Sequence, residues 1–226
     1  MDRDTEFIKY ARSKSLETGC ECTFVTGDAT KLDFLDNFFD ATTSHTVAEH
    51  IETSKFLSEQ YRVLKTGGIF TVLSVRDHLS VNPEPWKTGS EEEKALWERV
   101  EPYFKDSDEK YGVAKYSINE SELARQMTET GFHDVTINFI VKSAIPDNAD
   151  IDPTLAKSII ETERQIVLDG VLIAQALAPG VLSDAEINRL NSLIDSRFDN
   201  RIRLYESGEK VWDISASFLM IARGIK

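Results

Sequence analysis

The sequence is poor in cysteine, in positive charge and in long apolar runs, and each shortage narrows what the chain can be. Two cysteines occur in 226 residues. Cys20 and Cys22 are separated by one residue, which suits ordinary reduced thiols better than a disulfide framework. Lysine and arginine number 26 against 39 acidic residues, for a net charge of −13. Such a surface repels phosphate backbones and argues against a general nucleic-acid partner. No apolar run is long enough to span a bilayer, and no charged-then-apolar leader opens the chain, so no membrane partner and a cytoplasmic location are expected. The four histidines, His45, His50, His78 and His133, are too scattered for a metal site. No nucleophile-elbow pattern is present. The 11 glycines form no Gly-x-Gly-x-x-Gly stretch, so a backbone cradle of that kind is not encoded here.

What is present is a globular chain. Hydrophobic residues make up 41%, enough for one domain with a sizeable core. The stretch Phe24–Arg76 organises it. Cys22–Thr26, Phe38–Thr43 and Gly68–Ser74 are short, β-branched and aromatic, and each predicts a strand. Between the second and third, Phe56, Leu57, Gln60, Tyr61, Val63 and Leu64 recur at helical spacing. Lys65-Thr66-Gly67-Gly68 then predicts a left-handed helix stop. Strand, helix and strand with near-continuous apolar strands is the unit of a parallel sheet covered on both faces. Ligands bind such sheets beyond the carboxyl ends of the strands. Asp28 and Ala29 follow the first strand, and Ser44, His45 and Thr46 follow the second.

The run Gly27-Asp28-Ala29-x-x-Leu32-x-Phe34, then Phe39-Asp40, Glu49-His50-Ile51 and Tyr61-Arg-Val-Leu-Lys-Thr-Gly-Gly68, resembles class I S-adenosylmethionine-dependent methyltransferases of the small-molecule group. The resemblance covers Met1 to about Arg76 and returns weakly at Lys115–Val141 and Trp212–Lys226. It implies an α/β Rossmann-like fold, a mostly parallel sheet of order 3-2-1-4-5-7-6 with an antiparallel last strand. It also implies that the family's first strand, glycine-rich loop and following helix lie before Met1, so an N-terminally truncated fold is expected. The cofactor implied is S-adenosyl-L-methionine and the partner a small-molecule methyl acceptor. Asp2 takes the place of the acid that accepts from the ribose hydroxyls. Asp28 takes that of the acid on the adenine amino group, with Ala29 on the ring and Leu32 and Phe34 nearby. Ser44 and His45 line the methyl-transfer pocket, and His45 is the candidate general base, since histidine titrates near neutrality. His50 and Trp86 are candidates for substrate contact.

Each of these residues has a structural reading as well. Asp2 and Asp4 suit a helix start, Asp28 a turn after a strand, His45 a cofactor contact through its backbone, and Glu49-His50 packing at a helix start. Asp40 reads as structural.

The rest of the chain is expected to stay within a single domain, 1–226, with two insertions. Asp4 or Thr5 caps a first helix with Phe7, Ile8, Ala11 and Leu16 as its apolar stripe, ending at Gly19. Residues 77–116 form an aromatic-rich, lid-like insertion with a helix at Glu91–Glu101 and a solvated charge run at Asp106–Lys110. Ser117-Ile-Asn-Glu120 predicts a capping box for a helix ending at Gly131, and Phe132–Val141 a strand. Residues 146–210 form a helical insertion, a hairpin that starts at Pro153 and restarts at the cap Ser183-Asp-Ala-Glu186. It covers the substrate, forms a homodimer interface or extends the core. A final strand is expected at Trp212–Arg223. The rival functional readings are a non-catalytic methyltransferase-fold protein acting as an interaction module, and another nucleotide-binding α/β enzyme such as a dehydrogenase.

Overall fold

The computed structural model describes residues 1–19, 21–75 and 89–226. Cys20, His78, Pro83, Pro85 and Trp86, with the first part of the expected lid, lie outside the described residues. The chain divides into two compact units. One comprises Met1–Val75, Ala114–Ile140 and Leu219–Lys226, and the other Arg76–Val113 and Val141–Phe218.

The first unit is built on a four-stranded mixed sheet. Its strands are β1 (Phe39–His45), β2 (Leu64–Val75), β3 (His133–Ala144) and β4 (Ser215–Ile225), in the order β1-β2-β4-β3. β1 runs parallel to β2, with Thr42 opposite Phe70 and Ser44 opposite Val72. β4 runs antiparallel to β2, with Ile69 opposite Ile225. This is the 4-5-7-6 part of the expected order, including the antiparallel last strand.

Strand alternation decides which residues enter the core. Phe70, Val72 and Ser74 of β2 and Met220 and Ala222 of β4 are buried on one face. They pack with Phe56 and Leu57 of helix α2 (Thr53–Val63) and Leu123 and Met127 of helix α4 (Glu120–Thr130). Phe132 stacks on Phe70 with ring centroids 5.3 Å apart, and Tyr61 meets Phe132 edge-on at 5.1 Å. Gly131, at φ 115°, closes α4 against the Tyr61 ring. On the other face Ile69 and Val75 are partly exposed.

Several sequence expectations change at their edges. Cys22–Thr26 forms no strand, only one parallel bridge between Asp2 and Thr26. A lone pair lacks the ladder that makes a strand persist. Gly67 takes the expected left-handed conformation, at φ 78°, but within β2 and not as the stop of α2. The helix ends at Val63 and the strand starts at Leu64, because Leu64 already pairs with Phe39. Asn119, not Ser117, caps α4, its side chain accepting from the Glu122 amide. Helix α1 (Thr5–Thr18) has its Asp4 cap and its left-handed Gly19 end, yet it buries only Ile8 and leaves Phe7, Tyr10 and Leu16 exposed.

The second unit is helical: α3 (Glu91–Tyr111), α5 (Pro153–Leu177) and α6 (Asp184–Glu206). The charge run Asp106–Lys110 belongs to α3, which is longer than the sequence pattern suggests. Asp152 caps α5, and the Ser183–Glu186 capping box opens α6 as expected. Leu96, Val100, Ile160, Val171, Leu190, Ile194 and Phe198 form its core. Three charges are sealed within this unit. Arg201 on α6 donates to Asp147 at 2.8 Å and to Asp213 at 2.6 Å, and all three are at most 1% exposed. Asp147 also accepts from the Val211 and Trp212 amides. The cluster thus ties α6 to Asp147 and to residues 211–213 within this unit.

Candidate functional site

The site candidates lie in the first unit, at the ends of its strands and bridge. The Asp2 amide donates to the Val25 carbonyl at 3.2 Å, and the Gly27 amide to the Asp2 carbonyl at 2.9 Å. This pairing brings the backbone of Asp2 alongside residues 25–27, one position short of Asp28. One oxygen of each carboxylate is committed locally. Asp2 Oδ1 accepts from the Asp4 amide at 2.8 Å. Asp28 Oδ1 accepts from the Thr30 amide at 2.8 Å and the Thr30 hydroxyl at 2.7 Å. These Thr30 donors, the amide first, hold the Asp28 carboxyl below its usual range, so it is an ionised acceptor at neutral pH. Among the described residues no hydrogen bond reaches Oδ2 of either. Both side chains are exposed, and Ala29 beside them is half-buried against the first core.

The loop that follows is fastened by α2. Arg62 donates to the Leu32 and Phe34 carbonyls at 2.9 and 2.8 Å and to Asp36 at 2.7 Å. Glu59 accepts from the Leu32 amide at 2.7 Å and from Arg62. Phe34 packs edge-on against Phe39 at 4.9 Å. This Arg62–Glu59 hub was not singled out from sequence, although Arg62 sits within the Tyr61–Gly68 motif. Asp40 pairs with Lys65 at 2.7 Å, in keeping with a structural role.

At the end of β1, Thr46 takes φ 50° while its amide donates to the Leu73 carbonyl at 2.9 Å. His45, just before it, is exposed, and its Nδ1 lies 3.5 Å from the Thr46 hydroxyl. The Ser44 and Thr42 hydroxyls are buried with no hydrogen-bond partner among the described residues. A one-turn 3-10 helix, Ala48–His50, comes next. Here sequence reasoning missed a clamp. His50 Nδ1 accepts from the Ala114 amide at 3.0 Å, the Glu49 carbonyl accepts from the Tyr116 amide at 3.0 Å, and the Glu49 carboxylate accepts from the Ser74 hydroxyl at 3.1 Å. An accepting Nδ1 places the ring proton on Nε2. Glu49-His50 therefore ties residues 114–116 to the strand ends, and only Nε2 of His50 is left to meet a ligand.

Asp2, Asp28 and Ala29 are thus brought together by the bridge, and Ser44, His45 and His50 by β1 and the turn after it. Trp86 lies outside the described residues. The cavity of about 490 Å³ bounded by Val100, Val171, Ala174, Leu182 and Ile187 belongs to the helical unit, and none of the candidate residues lines it. Among the described residues no cluster of His, Cys, Asp and Glu suits a metal ion, and no helix is long and apolar enough to cross a membrane.

Residues 1–72 match the family model of a methyltransferase domain. No curated protein matches the chain. Among solved structures, the phosphoethanolamine N-methyltransferase 2 of Haemonchus contortus, in complex with phosphomonomethylethanolamine and S-adenosylhomocysteine, is 19% identical with a TM-score of 0.50. The match covers 100% of this chain and 42% of that one, so the chain spans less than half the length of that enzyme. The YcgJ protein of Bacillus subtilis is 18% identical with a TM-score of 0.47, over 99% of this chain and 80% of that one. Residues 1–72 thus carry a methyltransferase-domain sequence, in a chain whose fold is that of the class I S-adenosylmethionine-dependent methyltransferases.

Proposed function

We propose that the chain takes part in S-adenosylmethionine-dependent methyl transfer to a small-molecule acceptor. The observation that supports this reading is the Asp2–Thr26 bridge within the family-matched residues, which pairs the backbone of Asp2 two positions before Asp28, with both side chains exposed. Two carboxylates, each with one oxygen that no described residue bonds, fit the hydrogen-donating groups of an adenosine. Asp2 accepts from the ribose hydroxyls, Asp28 from the adenine amino group, and Ala29 packs on the ring. When bound, S-adenosylmethionine supplies a methyl on a sulfonium, whose departure as a neutral thioether needs no covalent enzyme intermediate. The residues of this chain then orient and shield. Ser44 and His45 line the acceptor side, and His45 takes the proton that a hydroxyl or amine acceptor releases. His50 contributes only its Nε2–H, as a donor to the acceptor. The sequence holds no glycine-rich stretch for the methionine part, so that part is left to polypeptide outside these residues.

Calorimetric titration with S-adenosylmethionine, run on this chain and on a version extended upstream, tests the reading. Binding heat in either, cut about tenfold or more in affinity by Asp28→Asn, supports it. Absence of heat in both overturns it in favour of a non-catalytic interaction module, and heat with NAD alone favours a dehydrogenase.

A further inference from the structure

The turn Ala48–His50 meets β2 and α2, and it carries an acceptor that works in one charge state only. His50 Nδ1 accepts from the Ala114 amide at 3.0 Å. A ring nitrogen that accepts has no proton of its own, so this bond requires a neutral ring. The residue it holds is strained. Ala114 has φ 52°, in the left-handed region where a Cβ crowds the following carbonyl oxygen. Such a conformation persists only where its surroundings over-determine it. The Ala114 amide is fixed by His50, and its carbonyl accepts from the Ser117 amide at 2.9 Å. Two residues on, the Tyr116 amide donates to the Glu49 carbonyl at 3.0 Å. The chain enters the sheet unit at Ala114.

The other ionisable groups on the elements around the ring are engaged elsewhere. Glu49, on the same turn, accepts from the Ser74 hydroxyl at the end of β2. Glu52 and Lys55 of α2 pair with each other at 2.6 Å. On the held segment, Lys115 lies over the Tyr116 ring, 5.5 Å from its centroid. Between pH 5 and 8 histidine is the side chain that ordinarily changes charge.

We propose that His50 is a pH-operated latch on residues 114–116. With a neutral ring the latch is closed. A proton arriving at Nδ1 turns a donor toward the Ala114 amide, itself a donor, so the bond is lost and the strained φ relaxes. The latch is therefore closed at the alkaline end of the histidine range and opens as pH falls through it. The Tyr116–Glu49 bond joins two backbone groups and does not titrate, so the release is local to Ala114. The latch rests on this hydrogen bond and not on the methyl-transfer reading, so either can fail alone.

Hydrogen exchange followed by NMR between pH 5 and 8, expressed as protection over the intrinsic rate at each pH, tests it. The wild-type Ala114 amide is expected to lose about two- to tenfold of its protection from pH 8 to pH 5, the weight of one backbone hydrogen bond. Tyr116 should keep its own. His50→Asn offers a side-chain oxygen in place of Nδ1 and takes up no proton, so Ala114 should be held alike across the range. His50→Phe should show the open value throughout. Nitrogen chemical shifts of the wild-type ring should report a bare Nδ1 at pH 8, and these shifts with the wild-type pH series decide the matter if a variant misfolds. Protection of Ala114 that is flat with pH in the wild type overturns the proposal, as does a fall shared by His50→Asn. A proton on Nδ1 at pH 8 overturns it too. So does loss at Tyr116 and the core amides of α4 in step with Ala114, which is acid unfolding and not a latch.

Discussion

Replacing Arg201 by methionine should destabilise the helical unit by about 3–5 kcal/mol, the usual cost of breaking a buried ion pair from one side. The magnitude follows from the geometry. Arg201, Asp147 and Asp213 are 1%, 0% and 0% exposed, so water does not replace the lost partner. Two carboxylates already share one guanidinium, and the variant leaves them with none. Asp147 keeps the Val211 and Trp212 amides, but Asp213 loses the Arg201 donor. Methionine fills most of the volume, so the loss is electrostatic and not a cavity effect. Trp97 and Trp212 belong to this unit, so tryptophan fluorescence during urea denaturation, read in a Trp86→Phe background, follows it. With a slope of about 2 kcal/mol per molar urea, the midpoint should fall by about 2 M. The triple variant Arg201→Met, Asp147→Asn, Asp213→Asn should recover much of the loss, because no uncompensated charge remains buried. A drop of less than about 1 kcal/mol for the single variant, the level of an exposed pair, would refute the reasoning.

Four further outcomes are expected. Gly131→Ala should cost the sheet unit about 1–3 kcal/mol, since φ 115° strains any side chain and the new Cβ lies 3.0 Å from the Tyr61 ring; thermal melting followed by far-ultraviolet circular dichroism reads it. Ser183→Ala removes the α6 capping box and should cost about 1 kcal/mol by the fluorescence assay. Arg99, with the Ser183 amide and hydroxyl, holds the Glu186 carboxyl down at about 2, and Arg125 does the same for Glu122. Both folded values lie below the ordinary value of 4.5, so this stabilisation is full above pH 4.5 and is lost as pH falls toward 2. A pH series of urea midpoints should therefore decline over that window, and less steeply in Glu186→Gln. His50→Phe should speed hydrogen exchange at the Ala114 amide without loss of helix or sheet content, because that amide loses its acceptor.

Local signals carried most of the fold into the sequence. The caps at Asp4 and Ser183, the left-handed glycines at 19 and 131 and the helical hairpin after Pro153 act within a few residues, so they could be read there. What escaped depends on partners far along the chain. Cys22–Thr26 has strand-like residues but only Asp2 to pair with, and propensity without a ladder gives one bridge. The α1 stripe looked like a core face, yet nothing in the periodicity says what covers it. The candidate site divides in the same way. His45 closes β1 where the strand pattern expects an ending, whereas Asp28 follows a single bridge and not a strand. The Glu49-His50 clamp on Ala114 and Tyr116, and the Arg201 cluster with Asp147, join residues more than fifty positions apart on at least one side. No single-sequence pattern records such encounters.

The position of β4 sets an order of events during synthesis. Among the described strands it is made after the other three, yet it sits between β2 and β3, with Ile225 opposite Ile69. A nascent chain must therefore hold β2 unpaired on one side while the whole of α5 and α6 leaves the ribosome. That waiting strand is the exposure a chaperone would have to mask.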